Sequence, residues 1–129
     1  MHYCLIYSGG RNPMQKKVAL VAFNGDPMCF IHVLLNALDM EQRGYDVKII
    51  IEGAATKLLC QLPDEKTPFS RQYIEVKEKG LIDCVCQACA VKMESLDAVK
   101  AQKLPLCNEM TGHPSLAKYI DAGYEIITF

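Results

Sequence analysis

Within seven residues the chain places three cysteines, in the run Cys84-Val85-Cys86-Gln87-Ala88-Cys89-Ala90. A cysteine thiolate attacks sulfur–sulfur bonds and binds soft metals, so this run is where chemistry is sought first. Cys86 falls where a strand-forming stretch, Leu81 to Val85, gives way to a helical pattern that continues to about Met93. At such a junction, unpaired backbone N–H groups and the positive end of the helix dipole favour a thiolate over a thiol. Cys89 lies one turn on and faces the same way, which makes it a second thiol for the same reaction. Cys86 and Cys89 are therefore the catalytic candidates. Cys84 alternates inward with the strand and reads first as a small buried hydrophobe.

The other cysteines say less. Cys4, Cys29, Cys60 and Cys107 default to burial without chemistry, and an odd total of seven argues against a disulfide scaffold. A zinc site built from Cys84, Cys86 and Cys89 with Cys107 or His113 is disfavoured, because structural zinc usually takes two spaced cysteine pairs and only one CxxC is present. No metal and no cofactor is assigned. A thioredoxin-like exchanger is disfavoured too, since its redox pair follows an early strand and this chain has no Trp.

Three further strand exits carry polar residues. His113 could take or give a proton near the thiols, although His113-Pro114 also suits a plain helix entrance. Asn24, Asp26 and Glu52 are supporting candidates whose simpler roles are a turn, a helix cap and a turn carboxylate. His32 faces solvent on the helical pattern, and His2 precedes the first strand. The chain contains no GxGxxG, GxxxxGK[ST] or GxSxG motif, so nucleotide loops and a serine nucleophile lack their usual warrant.

What must position these groups follows from length and pattern. A chain of 129 residues, half of them hydrophobic, fits a single domain with one buried core. Fourteen basic against fifteen acidic residues leave a net charge of -1, with no basic stripe for a phosphate backbone, which sets nucleic acid and anionic membrane aside as partners. No apolar stretch approaches the roughly 20 residues of a membrane span, and Tyr3 to Tyr7 is too brief for a signal core. A cytoplasmic protein is expected.

Residues 1–16, with Ser8-Gly9-Gly10 and Asn12-Pro13, read as an N-terminal extension to a single domain over 17–129, and Met14-Gln15-Lys16-Lys17 looks like a natural beginning. Val18 to Phe23 is a β-branched apolar run expected of a strand covered on both faces. Asp26 as N-cap and Pro27 at the first position launch a helix that Gly44 ends. Its polar stripe, His32, Asn36, Asp39 and Arg43, is narrow, so one flank is expected to meet another subunit unless neighbouring helices cover it. Strands at Asp46 to Glu52, Leu81 to Val85, Leu104 to Cys107 and Tyr124 to Phe129 alternate with helices at Ala54 to Gln61, Phe69 to Lys79, Leu96 to Gln102 and His113 to Ala122. Alternation of this kind predicts an α/β three-layer sandwich: a mainly parallel five-stranded sheet with helices on both faces, flavodoxin- or Rossmann-like. Reactive groups in such sheets gather beyond the carboxyl ends of the strands.

With an opening strand, a long first helix, a second strand ending at Glu52-Gly53 and a third running into a cysteine-bearing helix start, the chain resembles the DsrE/DsrF-like sulfur-relay family over nearly all of Lys17 to Phe129. The resemblance implies that Cys86 receives sulfane sulfur as a persulfide and hands it on, between donor and acceptor proteins, within a homo-oligomer of two, three or six chains. Cys84 and Cys89 flank the matching position and leave open which sulfur is the acceptor. The expected function is thus a cytoplasmic sulfur carrier or sulfurtransferase. Two readings of another class stand beside it: a non-catalytic oligomeric binding module whose cysteines are structural or hold a metal, and a thiol redox sensor using Cys86 and Cys89.

Overall fold

The structure, a computed structural model, describes residues 15–129, so the reading of an N-terminal extension falls, up to residue 14, outside the described residues. Five strands alternate with helices: β1 (Lys17–Ala22), α1 (Pro27–Gln42), β2 (Asp46–Ile51), a 3-10 segment (Gly53–Cys60), α2 (Ser70–Glu78), β3 (Ile82–Cys86), α3 (Gln87–Lys92), α4 (Leu96–Ala101), β4 (Leu106–Cys107), α5 (Leu116–Asp121) and β5 (Glu125–Thr128). All strand pairs are parallel, in the order β4-β3-β2-β1-β5. The three-layer α/β sandwich expected from the sequence is the fold observed.

The topology explains why the layers are unequal. Steps from β1 to β4 all move the same way across the sheet, and right-handed crossovers put every one of their connecting helices on one face. Only the return from β4 to β5 reverses direction, so only α5 covers the other face. On the first face, Phe30, Val33, Leu34 and Ala37 of α1 pack with Tyr73 and Val76 of α2 onto Leu20, Ile49, Ile51 and Val85. Each such aliphatic or aromatic side chain contributes about 1.5–3 kcal/mol on burial. On the second face, Tyr119 and Tyr124 cover Ala19, Val21, Ile50, Cys84 and Cys107. Polar pairs finish that thin layer: the Tyr119 hydroxyl donates to Asp83, Asp83 pairs with Lys48 at 3.2 Å, and the Tyr124 hydroxyl donates to Asp46 at 2.6 Å.

Helix α1 starts and stops as its sequence dictates. Asp26 accepts the Met28 N–H at 2.9 Å with Pro27 at the first position, and Arg43 closes the last turn ahead of Gly44. His32, Asp39 and Arg43 are exposed as the pattern required, and so are Met28 and Leu35 on the flank that was expected to need cover. Helix α5 differs from expectation. It begins at Leu116 rather than His113, because the Ser115 N–H is bound at 3.2 Å by the Glu109 carboxylate and His113 pairs back to Met110. His113 is consequently a loop residue.

Cys84 and Cys107 are buried, as read from the sequence, but the default of burial without chemistry is corrected for this pair. The two side chains share a face of adjacent parallel strands, with Cα atoms 5.7 Å apart, and their sulfurs are joined. Sequence counting could not see this, because the pairing depends on β4 lying beside β3 with Cys86 level with Cys107. Protein isolated without reductant should show two fewer titratable thiols in denaturant than the same protein after reduction, and Cys107→Ala should abolish the difference. For a closed loop of this size, reduction should cost about 3 kcal/mol of stability, read from denaturant unfolding curves.

Candidate functional site

Because every strand points the same way, the ends of β1, β2 and β3 open on one edge, and there the thiols, the imidazole and a carboxyl group meet. Cys86 is both the last residue of β3 and the N-cap of α3, with its backbone still extended (φ -63°, ψ 118°). Its Sγ accepts the Cys89 N–H at 3.3 Å. Thr56, buried in the 3-10 segment, donates to the Cys89 carbonyl at 3.4 Å and to the Gly53 carbonyl at 2.8 Å, which fastens the turn to its neighbour.

His113 arrives from the loop between β4 and α5. Glu109 organises that loop: its carboxylate accepts the Asn108 N–H at 3.1 Å and the Ser115 N–H at 3.2 Å and pairs with Lys118 at 2.6 Å. Hydrogen bonding to Lys118, then to Ser115, holds the Glu109 carboxyl down at about 2. Gly112 turns the chain at φ +93°, and its carbonyl accepts the Ala88 N–H at 2.9 Å, joining the loop to the first turn of α3. A side chain there would be strained twice, since an added Cβ would stand 3.0 Å from the Ala88 Cβ. The loop delivers His113 Nδ1 to 3.1 Å from Cys86 Sγ and 3.8 Å from Cys89 Sγ. The Cys86, Cys89 and His113 ligand atoms all lie within 4.8 Å of one another.

The electrostatics of Cys86 run against the sequence reading. A helix start was expected to ionise it, but α3 has only six residues and Cys86 is 0% exposed. Burial is the largest effect and pushes its thiol up to about 12, with the neighbouring Cys89 thiol adding to the rise and the Cys89 N–H opposing it. Cys89 is the half-buried, reachable member of the pair. Glu52, at the exit of β2, is buried as well; desolvation raises its carboxyl pKa, and the charge of His113 pulls the other way.

Beside this cluster lies a cleft of about 510 Å³ lined by Val21, Phe23, Asn24, Glu52, Leu116, Thr128 and Phe129. It opens at the carboxyl ends of the neighbouring strands β1 and β5, the one place at which the strand order reverses direction, which is where ligands lodge in open α/β sheets. The Phe23 ring forms one wall by lying over Gly53, where an added Cβ would meet it at 2.9 Å. Of the supporting residues, His113 and Glu52 join the thiols. Asn24 lines the cleft while its side chain accepts the Asp26 N–H at 2.8 Å, Asp26 serves as the α1 cap, and Cys84 is committed to Cys107. The Glu109 to His113 segment reads from the sequence as a strand exit that carries chemistry, but the organising role of Glu109 and the cleft walls Phe23, Leu116 and Phe129 do not show there. A carboxylate four residues before His113 was the available signal for the first; nothing local marks the second.

No protein-family model matches the chain. The uncharacterized protein MJ0733 of Methanocaldococcus jannaschii is 39% identical over 97 residues, spanning 75% of this chain and 77% of that protein. An uncharacterized protein of Archaeoglobus fulgidus is 49% identical over 43 residues, 33% of this chain and 70% of that one. Among solved structures, the conserved protein of unknown function BT1422 from Bacteroides thetaiotaomicron superposes with a TM-score of 0.70 over 92% of this chain and 100% of its own, at 19% identity. At that identity the likeness is one of fold.

Alkylation should separate the thiols by burial. In the folded protein, modification of Cys86 should lag that of exposed Cys60 and keep accelerating with pH towards about 12, whereas in denaturant it should level off near the ordinary thiol value of about 8.5. Peptide mass mapping across a pH series reads both. For Glu109, whose folded-state pKa is depressed, the stabilising contribution is complete above the ordinary carboxyl range and is lost as pH falls through about 2. Glu109→Gln should therefore free the loop at neutral pH, seen as faster alkylation of Cys86 and a changed His113 imidazole resonance.

Proposed function

The chain belongs to the family of the uncharacterized Methanocaldococcus jannaschii protein, and on that premise we propose that it is a sulfur carrier of the DsrE/DsrF-like kind, holding sulfane sulfur as a cysteine persulfide. The convergence of Cys86, Cys89 and His113 at the carboxyl edge of the sheet, beside an open cleft, is what carries this reading. A carrier needs one nucleophilic thiol within reach of a partner's sulfur, a group to manage its proton, and little else.

In this reading the two thiols exchange the roles that the sequence suggested. Half-buried Cys89 meets the donor, and buried Cys86 holds the Cys89 N–H and the imidazole in place. His113 takes the Cys89 proton. The thiolate then attacks the outer sulfur of a donor persulfide, forming a sulfur–sulfur bond on Cys89 as the donor's own sulfur–sulfur bond breaks. The donor leaves as a thiolate, which recovers the proton. Repetition of the same step with an acceptor thiol empties the carrier, and no net oxidation occurs. Such exchange belongs in a reducing cytoplasm, where burial shields the Cys84–Cys107 pair from passing thiols. Exposed Met28 and Leu35 on α1 support assembly of the carrier into a homo-oligomer.

Incubation of the reduced protein with a persulfide donor, followed by intact-mass measurement, should add one sulfur atom per chain. Cys89→Ser should lose that adduct and Cys60→Ser should keep it. His113→Ala should load more slowly by roughly 10²-fold or more, the usual size of a proton-transfer contribution. Full loading of a Cys86→Ser, Cys89→Ser double variant would refute the carrier.

A further inference from the structure

We propose that Cys86, Cys89 and His113 also form a site for a thiophilic divalent cation of the zinc type, with Cys86 Sγ, Cys89 Sγ and His113 Nδ1 as its protein ligands. The sequence argument against zinc rested on the single CxxC; the fold commits Cys84 and Cys107 to each other and brings His113 to the remaining pair. Among the described residues this is the one group of three or more metal-binding side chains whose ligand atoms converge, all within 4.8 Å of one another.

The distances suit a tetrahedral ion. Zinc bonds of about 2.3 Å to sulfur and 2.0–2.1 Å to nitrogen set neighbouring ligand atoms about 3.6–3.8 Å apart. The imidazole nitrogen stands at 3.1 and 3.8 Å from the two sulfurs, so closure around an ion needs shifts of about an ångström or less. Each ligand is already steered from behind: Cys86 by its place at the end of β3, Cys89 by the first turn of α3, and His113 by the loop that Glu109 and Gly112 shape. Two sulfurs and an imidazole select zinc over calcium or magnesium, which take oxygen ligands.

Charge balances as well. Binding releases one proton from each thiol to solvent, and the two thiolates neutralise the dication while the neutral imidazole donates its lone pair. Three protein ligands leave a fourth position for water or for an incoming thiolate. The regulatory consequence rests on the carrier reading: metal and sulfane sulfur compete for Cys89, so a bound ion masks the carrier.

Cobalt substitution tests the site with the full chain, reduced and freed of metal by EDTA. Added Co²⁺ should produce thiolate-to-cobalt charge-transfer absorption that saturates at one ion per chain and is displaced by Zn²⁺. Cys89→Ser and His113→Gln should each weaken Zn²⁺ binding at least roughly tenfold in chelator competition, with Cys60→Ser unchanged. Absence of a thiolate–cobalt band in the folded wild-type protein would overturn the site, as would unaltered affinity in both ligand variants. In parallel, Zn²⁺-loaded protein should take up little or no sulfur and the EDTA-treated protein one atom per chain; full uptake with zinc bound would overturn the masking. Should the EDTA-treated protein take up no sulfur while the cobalt band stands, the carrier reading falls and the metal site remains.

Discussion

All five strands run parallel, and the handedness of their crossovers settles everything downstream of that fact. Four strands laid down in one direction place their helices on one face, and the single return to β5 must travel over the other. That return begins at the end of β4, beside β3, and ends beside β1. It therefore drags the Asn108 to Ser115 loop across the ends of β3 and β2 and leaves the cleft at the carboxyl ends of β1 and β5, which stay paired through Phe129. The thiol cluster and the cleft are two results of one topological reversal. No residue in the loop needs to be chosen for reach; the crossover brings it there, and Glu109 and Gly112 decide only which side chain points inward.

At Cys86 two physical effects compete, and their sizes decide between them. Dipoles and free N–H groups at a helix start offer a modest stabilisation of negative charge that fades within the first turn, and α3 is barely more than one turn and a half long. Desolvation at 0% exposure is larger, so the residue that looks best placed in the sequence is held as a thiol. Cys89, one helical turn on, has the same imidazole in reach and is open to the outside, which is why the proposed carrier role goes to it. Position along the chain pointed to this turn, and burial is what distinguishes its two sulfurs.

Elements with local causes were legible in the sequence. The β-branched runs became β1 and β2, Asp26-Pro27 opened α1, and the alternation of strand and helix gave a parallel sheet; the boundaries shifted by a residue or two. What could not be read was set by contacts distant in sequence. The Cys84–Cys107 pair exists because β4 lies beside β3, the retreat of α5 to Leu116 because Glu109 claims the Ser115 N–H, and the cleft because β5 pairs only with β1. Glu52 illustrates the boundary between the two kinds. Its place at the end of β2 was plain, yet its burial, and its coupling to His113, needed the loop from the far end of the chain.

A site assembled this way separates what the fold must keep from what chemistry can change. Cys86 and Cys89 are fixed by β3 and the turn that follows it, and the sheet would have to be re-registered to move them. His113 hangs from a loop held by a handful of bonds, with Lys118, Ser115 and Asn108 all converging on one exposed carboxylate. Strand-fixed thiols facing a loop-borne imidazole would suit the occupants proposed above, a sulfur atom or a cation, between the same three side chains. Adjustment to either occupant would then fall mainly to the loop that carries the nitrogen, since Cys86 ends β3 and Cys89 lies in the first turn of α3.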